Sequence, residues 1–258
     1  MKGVWNRVIA AYIAGLIMVA SLHADEQADH GGHGGGWIQL FNGKDLNGWT
    51  PKFVGHDLGV NYKNTFVVKD GLLTVCYDNY KQWQDNIGHL FYQGEFSHYI
   101  LRAEYRFIGN QVKNAPGWAY RNNGLMLHGQ SAATMGRDQK FPNSIEAQLL
   151  GGHPNGKKMR STLSLYTPGT YVHLNEKPEK HHEIQSSGPT FHGDQWVVVE
   201  IEVRGSEVIR HKVGGKVVME YQSPHLDDGK LLEKGTISIQ AEGHPIQFRK
   251  IELRVLKN

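Results

Sequence analysis

The sequence predicts an all-β fold, an antiparallel β-sandwich or jelly roll. From Trp37 onward, short runs of alternating apolar and polar residues are separated by Gly, Asn, Asp and Pro. No amphipathic helix of normal length interrupts them. Many short strands at this spacing are typical of a two-sheet sandwich, and 258 residues with 39% hydrophobic content supply the core of one such domain.

The first 24 residues have the pattern of a secretory signal peptide. Lys2 and Arg7 precede an apolar run, and small residues follow up to Ala24. A membrane anchor is the alternative, but the uncharged stretch before Asp25 has only 17 residues, which is short for a span. We therefore expect cleavage and export to the periplasm or the cell exterior, with no stable membrane anchor afterwards.

The sequence predicts a flexible linker over residues 25–36 and the folded domain over residues 37–258. The linker is rich in Gly and His and has no apolar periodicity. Without Lys2 and Arg7 the chain keeps 26 basic and 25 acidic residues, and no polybasic run, so nucleic acid is not expected as a partner.

Cys76 is the only cysteine, which excludes an internal disulfide. In its strand-like run it is expected to be a small buried hydrophobe.

The strand faces follow from the alternation of side chains along each run. In residues 99–107 and 196–204 every second residue is apolar and most of the residues between them are charged, which predicts one dry face and one wet face. Gly214 and Gly215 join two further runs, a pairing that predicts a tight hairpin. The last two strands are predicted over residues 236–242 and 246–256.

Three runs place polar side chains opposite their apolar face. Glu146 and Gln148 share a face in residues 144–150, as do Ser238, Gln240 and Glu242 in residues 236–242. In residues 124–129 the alternation puts His128 on the face of Met126. If these strands are neighbours, they form a floor of carboxylate, amide and imidazole. Such a floor suits the hydroxyls of a sugar, whose ring stacks on aromatics such as Trp118 and Tyr166, although an exposed sheet face without function has the same alternation.

The sequence leaves a divalent metal open and lacks other catalytic signatures. Imidazole and carboxylate groups suit several divalent ions, but no tight ligand spacing occurs. Glycosidases normally use two carboxylates across the scissile bond. Glu146 is followed two residues later by Gln148 instead of a second carboxylate, and Glu242 is a candidate for that second group.

Longer motifs resemble the 3-keto-disaccharide hydrolase domain family. The resemblance runs from residue 37 to about 256 and is specific through the combination of its motifs. These are WIQLFNGKDLNGW (37–49), GHLF (88–91), WAYRNNGLMLHGQ (118–130), FPNSIEAQLLGG (141–152), YTPGT (166–170), GDQW (193–196) and IQAEGHPIQFRKI (239–251).

The resemblance implies a concanavalin-A-like jelly roll and, for some members, cleavage of glycosides oxidised at carbon 3. A C3 ketone acidifies the C2 proton, so a base can remove it, the enolate can expel the C1 substituent, and water can add back. This chemistry needs a base, an acid and groups that hold the enolate oxygen. Glu146 or His128 is expected as the base and Glu242 as the acid. The residues expected to bind substrate, including the enolate oxygen, are Trp118, Arg121, Asn123, Gln148, Tyr166, Gln240 and His244.

Two other functions remain open from the sequence. The same sandwich serves lectins, so the chain could be a non-catalytic carbohydrate-binding module, or a structural domain at the cell surface. A catalyst should gather Glu146, His128 and Glu242 in one pocket with shifted pKa values, whereas a binding module should have an open groove of aromatics and amides.

Overall fold

The computed structural model describes residues 36–156 and 159–257. The predicted signal peptide, and all of the predicted linker except Gly36, lie outside the described residues. Within them, none of the helices has the length and apolar character needed to cross a membrane.

The described residues form 17 β-strands and three single-turn 3-10 helices. The short helices are Tyr62–Asn64, Gly117–Ala119 and Ala132–Thr134. The strands, in chain order, are β1 (Ile38–Gln39), β2 (Trp49–Phe53), β3 (Phe66–Lys69), β4 (Leu72–Val75), β5 (Gly88–Tyr92), β6 (His98–Phe107), β7 (Asn122–Gly129), β8 (Ile145–Leu150), β9 (Ser164–Tyr166), β10 (Thr170–Leu174), β11 (Lys177–Glu179), β12 (Glu183–Ile184), β13 (Val197–Arg204), β14 (Val208–Val213), β15 (Lys216–Leu226), β16 (Thr236–Ala241) and β17 (Ile246–Val255).

The strands form two antiparallel sheets, which confirms the predicted fold class. The larger sheet has the order β11-β10-β15-β14-β13-β6-β17-β4-β3, with β1 paired to β17. The smaller sheet has the order β12-β9-β8-β7-β16-β5-β2. Side chains of both sheets meet in a shared core, to which β6 contributes Tyr99 and Tyr105 and β7 contributes Leu125 and Leu127. Apolar area removed from water here is the main stabilising contribution.

The larger sheet has the predicted dry and wet faces. Burial alternates strictly along β6, with the odd-numbered residues from Tyr99 to Phe107 in the core. On the wet face Arg102 donates to Glu200 and to Glu252, each at 2.8 Å. The predicted hairpin also forms, because Gly214 and Gly215 adopt φ values of 56° and 78° between β14 and β15.

Cys76 differs from the expectation of a buried small hydrophobe. It follows β4 and is only half-buried, and it lines a cavity of about 550 Å³ beside Tyr77 and Asp78. Partial burial raises the pKa of its thiol, so the thiol form is favoured over the reactive thiolate.

Candidate functional site

The three polar strands of the sequence analysis, β8, β7 and β16, are neighbours in the smaller sheet. Their side chains opposite the core form what we call the polar face. Cross-strand pairs define a row on this face: Ser238 lies opposite Met126, which lies opposite Glu146. The row continues through Tyr166 on β9 to Glu183 on β12. Residues that are more than 100 positions apart in the chain, such as Met126 and Ser238, therefore share one surface.

A cavity of about 520 Å³ opens over the β8 side of the polar face. It has the size of a small-molecule site and mixes polar and apolar side chains, as ligand pockets do. Its lining residues are Trp118, Asn122, Phe141, Glu146, Gln148, Leu150, Met159, Arg160, Ser161, Ser164, Tyr166, Glu183, Gln185 and Glu242.

Glu146 and Glu242 form a carboxyl pair on the floor of this cavity. Their exposed fractions are only 1% and 3%. Glycine makes the room for Glu146, because a Cβ atom on Gly124 would lie well under 3.0 Å from the Glu146 carboxyl oxygen Oε1. One oxygen of each carboxyl group, Oε1 of Glu146 and Oε2 of Glu242, is buried without a hydrogen-bond partner. The pair is therefore held by packing and remains available to a ligand.

Burial raises the pKa of both carboxyl groups. The pKa of Glu242 rises to about 8 because burial disfavours its charged form. The pKa of Glu146 is raised well above its ordinary value by burial and, in addition, by the negative charge of Glu242. Two carboxyl groups that oppose each other's ionisation hold one proton between them over a range of pH. Such a pair offers an acid and a base in the same cavity.

Unpartnered polar atoms are concentrated on the polar face and beside it. A buried polar atom without a partner costs about 1–3 kcal/mol, so a cluster of such atoms requires an explanation, and a binding site is one. Those on or beside the polar face belong to His89, Arg121, Asn122, Glu146, Gln148, Ser238, Gln240, Glu242 and His244.

Trp118 and Tyr166 lie where a sugar ring could stack. Both line the cavity, and 49% of the surface of Trp118 is exposed. The ring of Tyr166 packs edge-on to Phe141, with 6.3 Å between the ring centroids. Gln148 also lines the cavity, with its Oε1 unpartnered. Three of the predicted binding residues are thus brought together with the carboxyl pair.

His128 does not join the cavity, contrary to the prediction that it could be the base. Between Met126 and Gly129 the pairing with β16 shifts, because two residues of β7 face one of β16. His128 takes a φ of 47° in this bulge, and its Nε2–H donates to the carbonyl oxygen of Gly205 at 2.9 Å. The bulge breaks the alternation, and the imidazole connects the two sheets.

Asn123 also points away from the cavity. It lies opposite Leu149 of the core, and its Nδ2 donates to the backbone oxygen of Gln240 at 2.5 Å. The preceding residue, Asn122, lies opposite Leu150 and lines the cavity. The expected amide is present, one position earlier in the sequence.

Arg121, His244 and Gln240 lie beside or beneath the cavity rather than in its lining. Arg121 donates through Nη1 to the backbone oxygen of Gly193 at 2.8 Å. His244 is buried against Phe107, and burial together with the charge of Arg121 lowers its pKa to about 4, so its ring is neutral. Gln240 is fully buried on the polar face, and both polar atoms of its amide are unpartnered.

Arg160 is a cavity residue that the sequence analysis missed. Its guanidinium lines the cavity while Nη1 donates to the backbone oxygens of Gly151 and Tyr120 and Nη2 donates to that of Trp118. These contacts fix a positive charge in the cavity wall, where Glu183 is its charged neighbour. Arg160 lies in the segment between β8 and β9 and belongs to no alternating run. Only its long-range contacts bring it to the site.

No metal-binding cluster is found in the part of the chain that the structure describes. There, no three His, Cys, Asp or Glu side chains are grouped closely enough to hold an ion. The sequence leaves open whether a divalent metal binds, and residues 36–156 and 159–257 contain no such set of ligands for one.

The sequence model of one family matches the chain over residues 36–254, and its description is "3-keto-alpha-glucoside-1,2-lyase-like domain". The match covers every strand of both sheets, except the last residue of β17, and every cavity residue. This family match agrees with the family resemblance of the sequence motifs. No curated protein sequence matches the chain at a significant level.

Solved structures with little sequence identity share the fold. A candidate glycosyl hydrolase from Parabacteroides distasonis ATCC 8503 is 16% identical, with a TM-score of 0.53, over 86% of this chain and 94% of that one. A protein of unknown function with a galectin-like fold from Bacillus subtilis is 12% identical, with a TM-score of 0.54, over 86% and 96%. The exoplasmic domain of VIP36, bound to Ca2+ and Man3GlcNAc, is 10% identical, with a TM-score of 0.50, over 86% and 88%. These similarities support the galectin-like and concanavalin-like jelly roll.

Proposed function

The chain belongs to the 3-keto-alpha-glucoside-1,2-lyase-like domain family, and from this we propose that it cleaves the glycosidic bond of a 3-keto-glycoside by base-initiated elimination and hydration. The observation that carries the proposal is the buried pair of Glu146 and Glu242 on the floor of the cavity. A site for this reaction needs a base and an acid near the same sugar ring, and the pair supplies both.

The reaction follows from the acidity that a C3 ketone gives to C2. A carboxylate takes the C2 proton, and the electron pair forms the enolate. The enolate expels the oxygen substituent at C1, which the second carboxyl group protonates as it leaves. Water then adds across the resulting C1–C2 double bond, with OH at C1 and H at C2, and restores the 3-keto sugar. The sum is hydrolysis, and no redox partner is needed.

The pKa of Glu242 suggests which carboxyl group does which step. Burial raises it to about 8, near the working pH, and the pKa of Glu146 is raised well above its ordinary value by burial and by the charge of Glu242. We therefore assign Glu242 as the base and Glu146 as the acid, which exchanges the roles expected from the sequence. A base with a pKa near the working pH combines a useful ionised fraction with basicity.

We propose Arg160 and Gln148 as the groups that stabilise the enolate. Both line the cavity, and the guanidinium is held by three backbone oxygens. A fixed positive charge in a partly buried site stabilises developing negative charge without reorganisation. Trp118 and Tyr166 supply ring faces for the sugar.

Turnover of paired substrates tests the proposal. Purified protein is incubated with a 3-keto-α-glucoside and with the unoxidised α-glucoside, each with and without a chelator, and the released alcohol and sugar are measured. We expect product from the keto compound only. Product from both compounds would instead favour an ordinary two-carboxylate glycosidase, and loss of product with chelator would add a metal to the mechanism.

A binding function without catalysis is the second candidate. The observation that favours it is the half-exposed Trp118 beside amides in an open cavity. Saturable binding of both sugars without product from either would support it. For either function we propose that the protein is exported, on the pattern of residues 1–24.

A further inference from the structure

Glu242 lies directly after β16, in the turn of residues 242–245 that leads to β17. We call this segment the Glu242 turn. Its second residue, Gly243, has a φ of 100°, in the left-handed region that favours glycine. Oε2 of the Glu242 carboxyl group is buried and finds no hydrogen-bond partner among the described residues. The position of this carboxyl group therefore depends strongly on the backbone of the turn.

Tyr77 holds the Glu242 turn from the side of the larger sheet. It lies two residues after the end of β4 and is only 6% exposed. Its hydroxyl oxygen accepts a hydrogen bond from the backbone N–H of Gly243 at 2.7 Å, across 166 positions of the chain. The Gly243 nitrogen belongs to the planar peptide unit that begins at Glu242, so the bond fixes the orientation of that unit. A phenol from one sheet thus anchors the backbone beside a carboxyl group of the other.

Packing and a backbone hydrogen bond hold the same turn. A Cβ atom on Gly243 would lie 3.2 Å from the indole ring of Trp83, which packs edge-on to Tyr77 with 6.4 Å between ring centroids. The N–H of Val112 donates to the carbonyl oxygen of Gly243 at 2.9 Å. The Tyr77 bond is made on the Glu242 side of Gly243, whereas the Val112 bond is made on its other side. Loss of the phenol oxygen would therefore act first on the peptide unit next to Glu242.

The Glu242 turn has a different cavity on each side. Glu242 lines the cavity of about 520 Å³, whereas Tyr77 and Pro245 line the cavity of about 550 Å³ beside Cys76. Burial raises the pKa of Tyr77 well above its ordinary value, and the negative charge of Glu242 adds to this effect, so the phenol is neutral. Tyr77 is therefore close enough to sense Glu242 but lies outside the cavity proposed to bind the sugar.

We propose that Tyr77 is a positioning residue that holds Glu242 in its buried place through the N–H of Gly243. The proposal rests on the proposed function, in which Glu242 is the base. Without the phenol oxygen, the N–H of Gly243 is left unpaired, and the turn has to shift for that group to reach water or another acceptor. The carboxyl group of Glu242 then moves with the turn and becomes more hydrated. Its pKa should fall from about 8 towards the ordinary 4.5.

The test is Tyr77→Phe, which removes one oxygen and keeps the ring. We expect kcat for a 3-keto-glucoside to fall by about 10- to 100-fold, because misplacement of a reacting group by about 1 Å costs on the order of 100-fold. KM should change by less than about twofold, because Trp118 and Tyr166, which are proposed to bind the sugar, lie outside the turn. The rise of kcat/KM with pH should move to lower pH as the pKa of Glu242 falls.

Tyr80→Phe is the matched control. Tyr80 is also buried, packs edge-on to Tyr77, and hydrogen bonds through its hydroxyl group to Oγ1 of Thr65 at 2.6 Å. Both variants lose one buried phenol oxygen, so both should have a lower urea midpoint, but Tyr80→Phe should keep the kcat and the pH dependence of the wild type. Equal losses of kcat in the two variants, or an unchanged kcat and pH dependence in folded Tyr77→Phe, would overturn the positioning role.

Two measurements test the anchor without turnover. Amide hydrogen exchange needs no variant: the N–H of Gly243 should exchange far more slowly than in an unfolded chain, and exchange at the unfolded rate would reject the bond to Tyr77. If the wild-type protein turns over no 3-keto-glucoside, the proposed function fails, and carbon-13 NMR titration of the Glu242 carboxyl group, identified by its absence in Glu242→Gln, still tests the positioning. Its pKa should be lower in Tyr77→Phe than in the wild type and in Tyr80→Phe. Equal pKa values in all three proteins would contradict the proposal.

Discussion

The carboxyl group of Glu146 lies in the space that a side chain at position 124 would fill. A Cβ atom on Gly124 would come well under 3.0 Å from Oε1 of Glu146, closer than real Cβ contacts. Gly124 is opposite Gln148 on β8, so the side chain of Glu146 crosses the neighbouring strand at this glycine. The position of the carboxyl pair thus depends on one residue without a side chain.

Gly124→Ala should therefore inactivate the protein without changing any catalytic group. The new methyl group displaces the Glu146 carboxyl, and misplacement by about 1 Å is enough to cost on the order of 100-fold in kcat/KM. Gly117→Ala is the matched control, because a Cβ there meets no atom within 4 Å. Full activity of Gly124→Ala, measured as kcat/KM for a 3-keto-glucoside, would contradict this position for Glu146.

The rate should depend on pH in the direction set by the raised pKa values. Glu242 acts as a base only when ionised, so kcat/KM should rise as pH increases towards about 8. It should fall again at higher pH, when Glu146 loses its proton too. A rate that is constant between pH 5 and pH 8 would show that neither carboxyl group titrates in the reaction.

Substitution of Glu146 and substitution of Glu242 should have different effects on activity towards substrates with different leaving groups. If Glu146 is the acid, Glu146→Gln should lose about 100-fold or more with a sugar leaving group and recover most of it with p-nitrophenol, which leaves without a proton. Glu242→Gln should stay inactive with both, because the C2 proton must still be removed. The opposite pattern would assign Glu146 as the base.

Glu242→Gln should stabilise the fold at high pH. In the unfolded chain the Glu242 carboxyl ionises at its ordinary pKa of 4.5, whereas in the folded chain it keeps its proton to about pH 8. Its contribution to folding stability is therefore fully present below pH 4.5 and is lost as pH rises through about 8. The glutamine side chain of the variant does not ionise, so the variant does not lose this stability as pH rises. Its free energy of unfolding at pH 8 should therefore exceed that of the wild type by a few kcal/mol.

Thermal or urea unfolding at pH 5 and at pH 8 measures this effect. The buried neutral imidazoles, such as His211 with its pKa lowered to about 4, impose the opposite slope, because they lose stability as pH falls below 6.5. They are present in wild type and variant alike and cancel in the comparison. A stability difference that is the same at both pH values would contradict the raised pKa of Glu242.

His128→Ala should weaken the fold and leave the chemistry intact. The substitution removes the bond from Nε2–H to the Gly205 carbonyl and leaves that oxygen unpaired, at a cost of about 1–3 kcal/mol. The urea midpoint should fall, while kcat/KM for the 3-keto-glucoside stays within about twofold of the wild type at a temperature where both are folded. A large loss of kcat/KM in folded protein would restore His128 to the reaction.

Local alternation predicted much of the polar face. Glu146 and Gln148 share a face, as do Gln240 and Glu242, because strand side chains alternate wherever the strand is regular. The sheet order then confirmed that β8, β7 and β16 are neighbours. The carboxyl pair could therefore be anticipated from residues far apart in the chain.

The structure differs from the sequence expectation in two ways. The bulge in β7 turns His128 towards the other sheet, whereas Asn123 lies in the regular part of β7 but on its core face, and Asn122 reaches the cavity. Arg160 and Phe141 lie in connecting segments, whose position depends on contacts with distant residues and has no periodic signal.

The sequence by itself determined the all-β sandwich, its family and the polar character of one sheet face, because period-two patterning and turn residues act over a few neighbouring positions. Only the tertiary structure decided that Glu146 and Glu242 share a cavity, that each raises the cost of the other's charge, and that Phe141 and Arg160 line the same cavity. Those relationships depend on strand order, register and burial, which set distances and solvent access between residues that the chain keeps almost 100 positions apart.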